Sequence, residues 1–142
     1  MPDERIVYVV DDDPDFRRSI EALLGSAGFA TRAYDSAFTV LNAAPQLAGG
    51  CMLLDVRMPE MSGLEVQVRL NELGIHLPVV VMTGQGDVAT AVRAMKAGAV
   101  DFIEKPFDDD LLLTIIETAL SATAVKAGRE HTTGQAAVVV GC

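Results

Sequence analysis

Three aspartates follow two apolar runs of this sequence, and their spacing could support chemistry around a bound cation. Asp11 and Asp12 follow the run at 6–10, and Asp55 follows the run at 51–54. Clustered carboxylates repel one another, and their pKa values rise unless a cation or a proton relieves the charge. Oxygen-only ligands suit Mg²⁺ or Mn²⁺ better than zinc. If these side chains meet, the sequence predicts a magnesium or manganese site.

Two further polar residues follow later apolar runs. Thr83 comes directly after the run at 77–82, and Lys105 lies two positions after the run at 100–103. A lysine ammonium would place a positive point charge against an anionic oxygen. Three aspartates (−3), one divalent cation (+2) and this lysine (+1) sum to zero before an anionic group arrives.

Each of these residues also has a purely structural interpretation. Asp13 followed by Pro14 is typical of the N-cap and first turn of a helix, and this cap explains only one of the three consecutive aspartates. Thr83 could be a β-branched strand end, and Lys105 an ordinary surface lysine. For Asp55 the structural interpretation is costly, because a charge buried after Cys-Met-Leu-Leu needs a partner or an ion.

Five apolar runs have the length and β-branched content of buried strands. They cover residues 6–10, 30–34, 51–54, 77–82 and 100–103. The regular spacing of their starts leaves room for a helix after each strand. The repeat predicts an α/β fold, a parallel sheet covered by helices on both faces. We expect a flavodoxin-like doubly wound (βα)5 domain and take its five-stranded sheet to have the order 2-1-3-4-5. In that order the first and third strands are neighbours, which would bring the three aspartates together.

Between these runs, apolar residues recur at the spacing of an amphipathic helix. Residues 36–44 and 64–73 supply the weaker second and third helices, and residues 111–120 carry the last one. Asp87 is placed to cap the fourth helix. The apolar stripe of that helix consists of Val88, Ala91, Val92 and Met95.

Length, composition and charge bound the function classes. The chain has 142 residues, half of them hydrophobic, which suits one globular domain. Eleven Lys and Arg against 20 Asp and Glu give a net charge of −9, which argues against direct contact with nucleic acid or anionic membranes. No apolar run approaches the roughly 20 residues that span a bilayer, and the N-terminus lacks a signal peptide, so we expect a cytoplasmic protein.

We divide the chain into a domain at 1–124 and a C-terminal tail at 125–142. The tail is too short for a domain, which normally needs at least about 50 residues. Cys51 and Cys142 form neither a disulfide framework nor a metal-ligand pair. We expect Cys51 to be buried in a strand.

Four blocks of the sequence match the motifs of a known family in order and separation. The blocks are Val-Val-Asp-Asp-Asp-Pro at 9–14, Leu-Leu-Asp-Val-Arg-Met-Pro at 53–59 with Gly63, Val-Val-Val-Met-Thr-Gly at 79–84, and Lys-Ala-Gly-Ala-Val-Asp-Phe-Ile-Glu-Lys-Pro-Phe at 96–107. Over roughly residues 5–122 the chain resembles the receiver domain of two-component response regulators. The last block is similar to the FixJ branch of that family.

The resemblance implies a phosphoryl acceptor at Asp55 and a Mg²⁺ site around it. Asp12 would ligate the cation directly, Asp11 would act largely through water, and the backbone carbonyl of Arg57 would complete the ligand set. The donor would be a phosphohistidine of a sensor histidine kinase, attacked by the carboxylate. The chain would then be a phosphoacceptor signalling domain rather than an enzyme, and it would promote its own phosphorylation and dephosphorylation.

The resemblance also implies a switch around the acceptor. Lys105 would contact the phosphoryl oxygens and precede a cis peptide bond at Pro106. Thr83 would donate its hydroxyl to the phosphoryl group, and Phe102 would change rotamer with it. Many receivers carry Tyr at the Phe102 position, and this chain lacks that phenolic hydroxyl. The switch would repack the surface of the fourth helix and fifth strand, through which the family often forms a homodimer after activation.

Two hypotheses concern the surface near the acceptor. Arg57, two residues after Asp55, could influence the access of hydrolytic water and so the lifetime of the signal. Kinase specificity is expected on the first helix, around Phe16, Arg17 and Ile20.

Other functions compete with this interpretation. The chain could be an N-terminal fragment of a FixJ-type DNA-binding transcriptional regulator whose helix-turn-helix domain is absent here, because the 18-residue tail is too short to supply one. A stand-alone receiver is the other form that we consider. A phosphatase with a nucleophilic Asp would normally carry an acidic residue at the position of Arg57. A flavin-binding protein would need a phosphate-binding loop where three aspartates would repel phosphate.

Overall fold

Five parallel strands form one sheet in the computed structural model, which describes residues 5–129 of the chain. The strands are β1 (Ile6–Val10), β2 (Ala30–Tyr34), β3 (Cys51–Asp55), β4 (Val79–Gly84) and β5 (Asp101–Lys105). The helices are α1 (Pro14–Ser26), α2 (Ala37–Asn42), α3 (Gly63–Glu72), α4 (Val88–Lys96) and α5 (Asp109–Arg129), with a short 3-10 helix at Ala44–Gln46. The sheet order is β2-β1-β3-β4-β5, which confirms the predicted fold class and topology.

Helices cover both faces of the sheet because successive side chains of a strand point to opposite faces. On one face Val9 and Leu53 belong to a core with Leu24 of α1 and Leu112 of α5. On the other face a second core includes residues of α2, α3 and α4, such as Val66. Every residue of β1 and β3 is buried, so these two interior strands end between two apolar layers.

The last two strands begin and end later than the apolar runs predict. Pro78 has no N–H to donate to the sheet, and β4 starts at the residue after it. At the other end, Thr83 pairs with Glu104 and Gly84 pairs with Lys105. Thr83 and Lys105, which were expected to follow these strands, therefore belong to the paired ends of the strands.

The apolar stripe predicted for the fourth helix faces the core only in part. Ala91 is buried, but Val88, Val92 and Met95 are 63, 46 and 40% exposed. The other buried residue of α4 is Ala94, so two alanines form its contact with the core. The larger apolar residues of the helix therefore form an exposed face.

Helix α1 follows the three aspartates directly. Asp13 caps it as predicted, because its side chain accepts hydrogen bonds from the backbone N–H groups of Asp15 and Phe16. Ile20 is 4% exposed and belongs to the core, so the expectation that it contributes to a kinase-contact surface is wrong.

The remaining expectations concern Cys51 and the C-terminal segment. Cys51 is fully buried in β3, as predicted, and burial raises the pKa of its thiol to about 12.

Helix α5 continues through position 124 to Arg129, and the rest of the tail lies outside the described residues, so the division between 1–124 and 125–142 stays a prediction. Among the helices of residues 5–129, none has the length and apolar character needed to cross a membrane.

Candidate functional site

The acidic cluster forms at the carboxyl ends of β1 and β3. These strands are neighbours, and Val10 pairs with Leu54, so the residues that follow each of them lie side by side. Asp11, Asp12 and Asp55 each offer a carboxylate oxygen, and these oxygens all lie within 4.8 Å of one another. Asp11 and Asp55 are buried, whereas Asp12 is exposed and opens the cluster to solvent.

One ammonium group lies in this acidic cluster. Lys105 Nζ donates to Asp11 Oδ2 at 2.8 Å and lies 3.6 Å from Asp55 Oδ1. The other oxygen of Asp11, Oδ1, accepts a hydrogen bond from the backbone N–H of Asp13 at 2.9 Å. Both oxygens of Asp11 therefore accept a hydrogen bond, and Lys105 is one positive charge beside three carboxylates.

The environment of Asp55 is unfavourable for its charged form. Burial raises the pKa of Asp55 to about 6, and the negative charge of Asp11 adds to this rise. Lys105 and a hydrogen bond from the backbone N–H of Arg57 act in the opposite direction without cancelling it. Oxygen donors with an excess of negative charge fit a hard divalent cation, so the residues present suit Mg²⁺ or Mn²⁺.

A hydroxyl group lies at the end of the neighbouring strand. Thr83 is 2% exposed, and its Oγ1 has no hydrogen-bond partner among the residues that the structure describes. Strand β4 pairs with β3 up to Asp55, which lies opposite Met82. A buried hydroxyl without a partner is costly, so an acceptor brought into the site would relieve it.

Two residues of the predicted switch region lie on or after β5. Phe102 is 36% exposed rather than packed in the core. The peptide bond between Lys105 and Pro106 is cis.

Arg57 connects the loop after β3 to the start of α4. Its guanidinium Nη2 lies 3.7 Å from Asp87 Oδ2, and its side chain is 78% exposed. Asp87 caps α4 by accepting a hydrogen bond from the backbone N–H of Thr90. Hydrogen bonding by the Thr90 side chain lowers the pKa of Asp87, and the Thr90 backbone bond and the charge of Arg57 act in the same direction. The cap was predicted from the sequence, but its ion pair with Arg57 was not.

An aromatic and basic flank of the site was also missed. The ring centroid of Phe16 lies 4.2 Å from Lys105 Nζ, and the Phe107 ring meets it edge-on at 5.9 Å. Arg17 Nη1 donates to the backbone carbonyl of Asp11 at 2.8 Å. The available signal was the start of α1 at Pro14, because the first turn of a helix that begins so close to the aspartates must lie beside them.

Comparison with known proteins agrees with this geometry. The family model described as "response regulator receiver domain" matches residues 7–117. The chain is 49% identical over 117 residues to the response regulator protein TmoT of Ectopseudomonas mendocina, covering 82% of this chain and 53% of that protein. It is 49% identical over 114 residues to the transcriptional regulatory protein FixJ of Bradyrhizobium diazoefficiens, covering 80% and 56%.

A solved structure extends the similarity to three dimensions. Full-length FixJ from B. japonicum superposes with a TM-score of 0.84 at 45% identity, over 92% of this chain and 64% of that one. The chain thus spans only a little over half the length of each of these two curated relatives. Sequence blocks, sheet order and the acidic cluster lead to one conclusion: the chain belongs to the family of response regulator receiver domains, with relatives of the FixJ type.

Proposed function

We propose that the chain accepts a phosphoryl group at Asp55 from a phosphohistidine of a sensor histidine kinase. The observation that carries the proposal is the setting of this carboxylate: it is 6% exposed, it ends an interior strand, and Lys105 Nζ lies 3.6 Å from it. Two further carboxylates lie within 4.8 Å. Family membership supports the proposal, because phosphorelay signalling is the general function of receiver domains.

The transfer is a displacement at phosphorus. An Asp55 carboxylate oxygen attacks the phosphorus, the phosphorus–nitrogen bond to the donor histidine breaks, and its electron pair stays on the imidazole nitrogen. The product on this chain is an acyl phosphate. A pKa of about 6 leaves Asp55 mainly ionised near neutral pH, as a nucleophile must be. In dephosphorylation water attacks the phosphorus, the bond to the carboxylate oxygen breaks, and inorganic phosphate leaves.

Asp11, Asp12, Asp55 and the backbone carbonyl of Arg57 would hold Mg²⁺ or Mn²⁺. When bound, this cation neutralises charge on the phosphoryl oxygens. The oxygen-only donor set and the single ammonium among three carboxylates support the assignment. Both oxygens of Asp11 already accept hydrogen bonds, which suits a contact with the cation through water.

Lys105 and Thr83 would bind the phosphoryl oxygens. The ammonium of Lys105 already lies beside the acceptor and would donate to an equatorial oxygen. The buried Thr83 hydroxyl would gain the acceptor that it lacks, and Phe102 would turn inward in the same step. This rearrangement would bias a two-state element on the α4 and β5 surface.

The same surface would carry the output as a phosphorylation-dependent homodimer. Val88, Val92 and Met95 on α4 are all more than a third exposed. Burying such residues against a second copy of the chain would stabilise the active form.

Arg57 would control the lifetime of the acyl phosphate. Its exposed side chain follows the acceptor by two residues and pairs with Asp87. We expect Arg57→Ala to change the dephosphorylation rate; a rate equal to that of the wild type would remove this role.

A second candidate is that the chain is the receiver portion of a FixJ-type transcriptional regulator. The length of the relatives favours this candidate, because those named as transcriptional regulators extend well beyond the region that matches this chain. In that case DNA contact would belong to the rest of the protein. The length of the intact gene decides between this candidate and a stand-alone receiver.

Intact mass measurement after incubation with acetyl phosphate and Mg²⁺ tests the proposal. We expect one phosphoryl adduct in the wild type, and none in Asp55→Asn or in excess EDTA. Asp35→Asn is a matched control, because Asp35 is an exposed aspartate directly after β2. Labelling that survives in Asp55→Asn would contradict the assignment.

A further inference from the structure

We propose that Phe16 is a positioning residue, which holds the ammonium of Lys105 beside the acceptor through a cation–π contact. The inference rests on the proposed phosphoryl transfer at Asp55. Lys105 Nζ lies 4.2 Å from the ring centroid of Phe16, well within the roughly 6 Å over which an aromatic face attracts a cation. The ring is thus a third neighbour of the ammonium, after the two buried carboxylates.

Lys105 needs such a restraint because its ammonium sits on a flexible four-carbon stem. The side chain is 29% exposed, so part of it borders solvent. The two carboxylates that attract it end strands β1 and β3, whereas the ring comes from α1. Contacts from separate elements restrict the ammonium more than either carboxylate alone.

The ring itself is held in place by its surroundings. The backbone N–H of Phe16 donates to the N-cap side chain of Asp13 at 3.3 Å, which fixes the first turn of α1. The Phe107 ring packs against it with an interplanar angle of 76°, an edge-to-face arrangement that aromatic pairs favour. Both rings also pack against the core shared by α1 and α5. Phe16 is therefore positioned before any ligand arrives.

An aromatic ring suits this task better than a further acidic residue. The site already holds three carboxylates, and a fourth would repel the incoming phosphoryl group. The ring face attracts the ammonium without adding a formal charge. Lys105 can therefore be restrained while its N–H groups stay available for phosphoryl oxygens.

The rate of labelling by acetyl phosphate in Mg²⁺ tests the role. We expect Phe16→Leu to label about two- to five-fold more slowly than the wild type, the effect of a partly exposed cation–π contact. Phe16→Tyr keeps an aromatic face and should restore the rate. Phe38→Leu is the matched control, because the same change is made on α2 at a half-exposed ring, and its rate should equal that of the wild type. Equal rates in Phe16→Leu and the wild type would overturn the inference.

Fluorinated phenylalanines at position 16 separate the ring's electrostatics from its packing. We expect the logarithm of the labelling rate to fall as fluorines are added, because they weaken the negative face of the ring while nearly preserving its shape. A rate that is independent of fluorination would overturn the cation–π role. If Phe16→Leu fails to fold, this series still tests whether the Phe16 ring holds Lys105 through a cation–π contact.

A spectroscopic measurement tests the contact without any phosphoryl transfer. In the metal-free wild type, we expect the Cε methylene protons of Lys105 to resonate upfield of their position in Phe16→Leu, because a ring face shields nearby protons. Identical shifts would overturn the contact. If the wild type shows the upfield shift but takes no phosphoryl group, the proposed function fails and the positioning role fails with it.

Discussion

Asp55 and Thr83 are each in an unfavourable environment in the unphosphorylated site, and each environment indicates which ligand would improve it. Burial and the charge of Asp11 raise the pKa of the Asp55 carboxyl, which disfavours its ionised form. The Thr83 hydroxyl is buried without a partner in the described part of the chain. A bound cation would stabilise the charged Asp55 carboxylate, and an anionic oxygen would accept a hydrogen bond from the Thr83 hydroxyl. Unfavourable groups that persist at the end of a well-packed sheet are typical of functional sites.

Asp55→Asn should stabilise the metal-free protein, and the gain should depend on pH. Asp55 has a folded-state pKa of about 6 against an ordinary value of 3.8, so ionisation costs more in the folded than in the unfolded chain. The folded protein carries the whole of this ionisation cost above about pH 6. The cost disappears as the pH falls towards 4, because Asp55 takes up its proton at a higher pH in the folded than in the unfolded chain. We expect a gain of about 1–3 kcal/mol near pH 7.5, declining towards zero near pH 4, in urea unfolding with EDTA. A gain that is the same at both pH values would contradict this explanation.

Thr83→Val should stabilise the unphosphorylated protein while weakening its response to phosphorylation. The substitution removes a buried hydroxyl that lacks a partner, and we expect the free energy of unfolding to rise by about 1 kcal/mol. Beryllofluoride, which mimics the phosphoryl group, should then stabilise the variant less than the wild type. Thr114→Val is the control, since its exposed hydroxyl already donates to the Asp110 carbonyl and its loss should bring no gain. A destabilised Thr83→Val that responds fully to beryllofluoride would contradict both expectations.

Among the strands and helices, the parallel βα units could be predicted from the sequence, but the strand ends could not. The regular spacing of five apolar runs predicts these units, and the doubly wound order expected for them brings Asp11 and Asp55 together. The ends of β4 and β5 depend on pairing between polar residues, which has no hydrophobic signal. The contact of Phe16 with Lys105 was missed for a related reason, because it depends on how α1 leaves the site.

The start of α3 is fitted tightly against the end of β3. A Cβ atom at Gly63 would lie 2.4 Å from the Asp55 backbone oxygen, and the Gly63 N–H donates to the Val56 carbonyl at 2.9 Å. The helix can begin here only because this residue has no side chain.

Gly63→Ala should therefore displace the strand end that carries the acceptor. We expect the free energy of unfolding to fall by about 1–3 kcal/mol, with slower labelling by acetyl phosphate. Gly25→Ala in α1 is the control, because its Cβ would meet nothing within 4 Å, and it should stabilise the protein by about 0.5–1 kcal/mol. Urea unfolding of the two variants measures both effects. Equal stabilities would show that the close approach at position 63 does not constrain the acceptor.

For the whole molecule, the sheet order connects the acceptor to the apolar surface. Asp55, Thr83 and Phe102 belong to the consecutive strands β3, β4 and β5, and α4 contacts the last two. Three of the charges in the net −9 belong to the acidic cluster, which leaves −6 for the rest of the chain. The exposed apolar face of α4 lies beside the strands that would respond to phosphorylation.

Sedimentation with Mg²⁺ and beryllofluoride tests whether this face associates. We expect the wild type to shift from monomer towards dimer, because activation would repack the α4 and β5 surface around this already exposed apolar face. Val92→Glu on α4 should stay monomeric, whereas Val68→Glu on α3 should associate as the wild type does. The two valines are matched, since each is 46% exposed. A wild type that stays monomeric with beryllofluoride would count against the dimer.

Mapping the modified residue tests whether Asp55 itself carries the phosphoryl group. Borohydride reduces an aspartyl phosphate to homoserine, which peptide mass mapping locates after labelling with acetyl phosphate and Mg²⁺. We expect homoserine at position 55 and unmodified aspartate at positions 11 and 12. Homoserine at either of those two positions, or at none of the three in a labelled protein, would contradict this assignment.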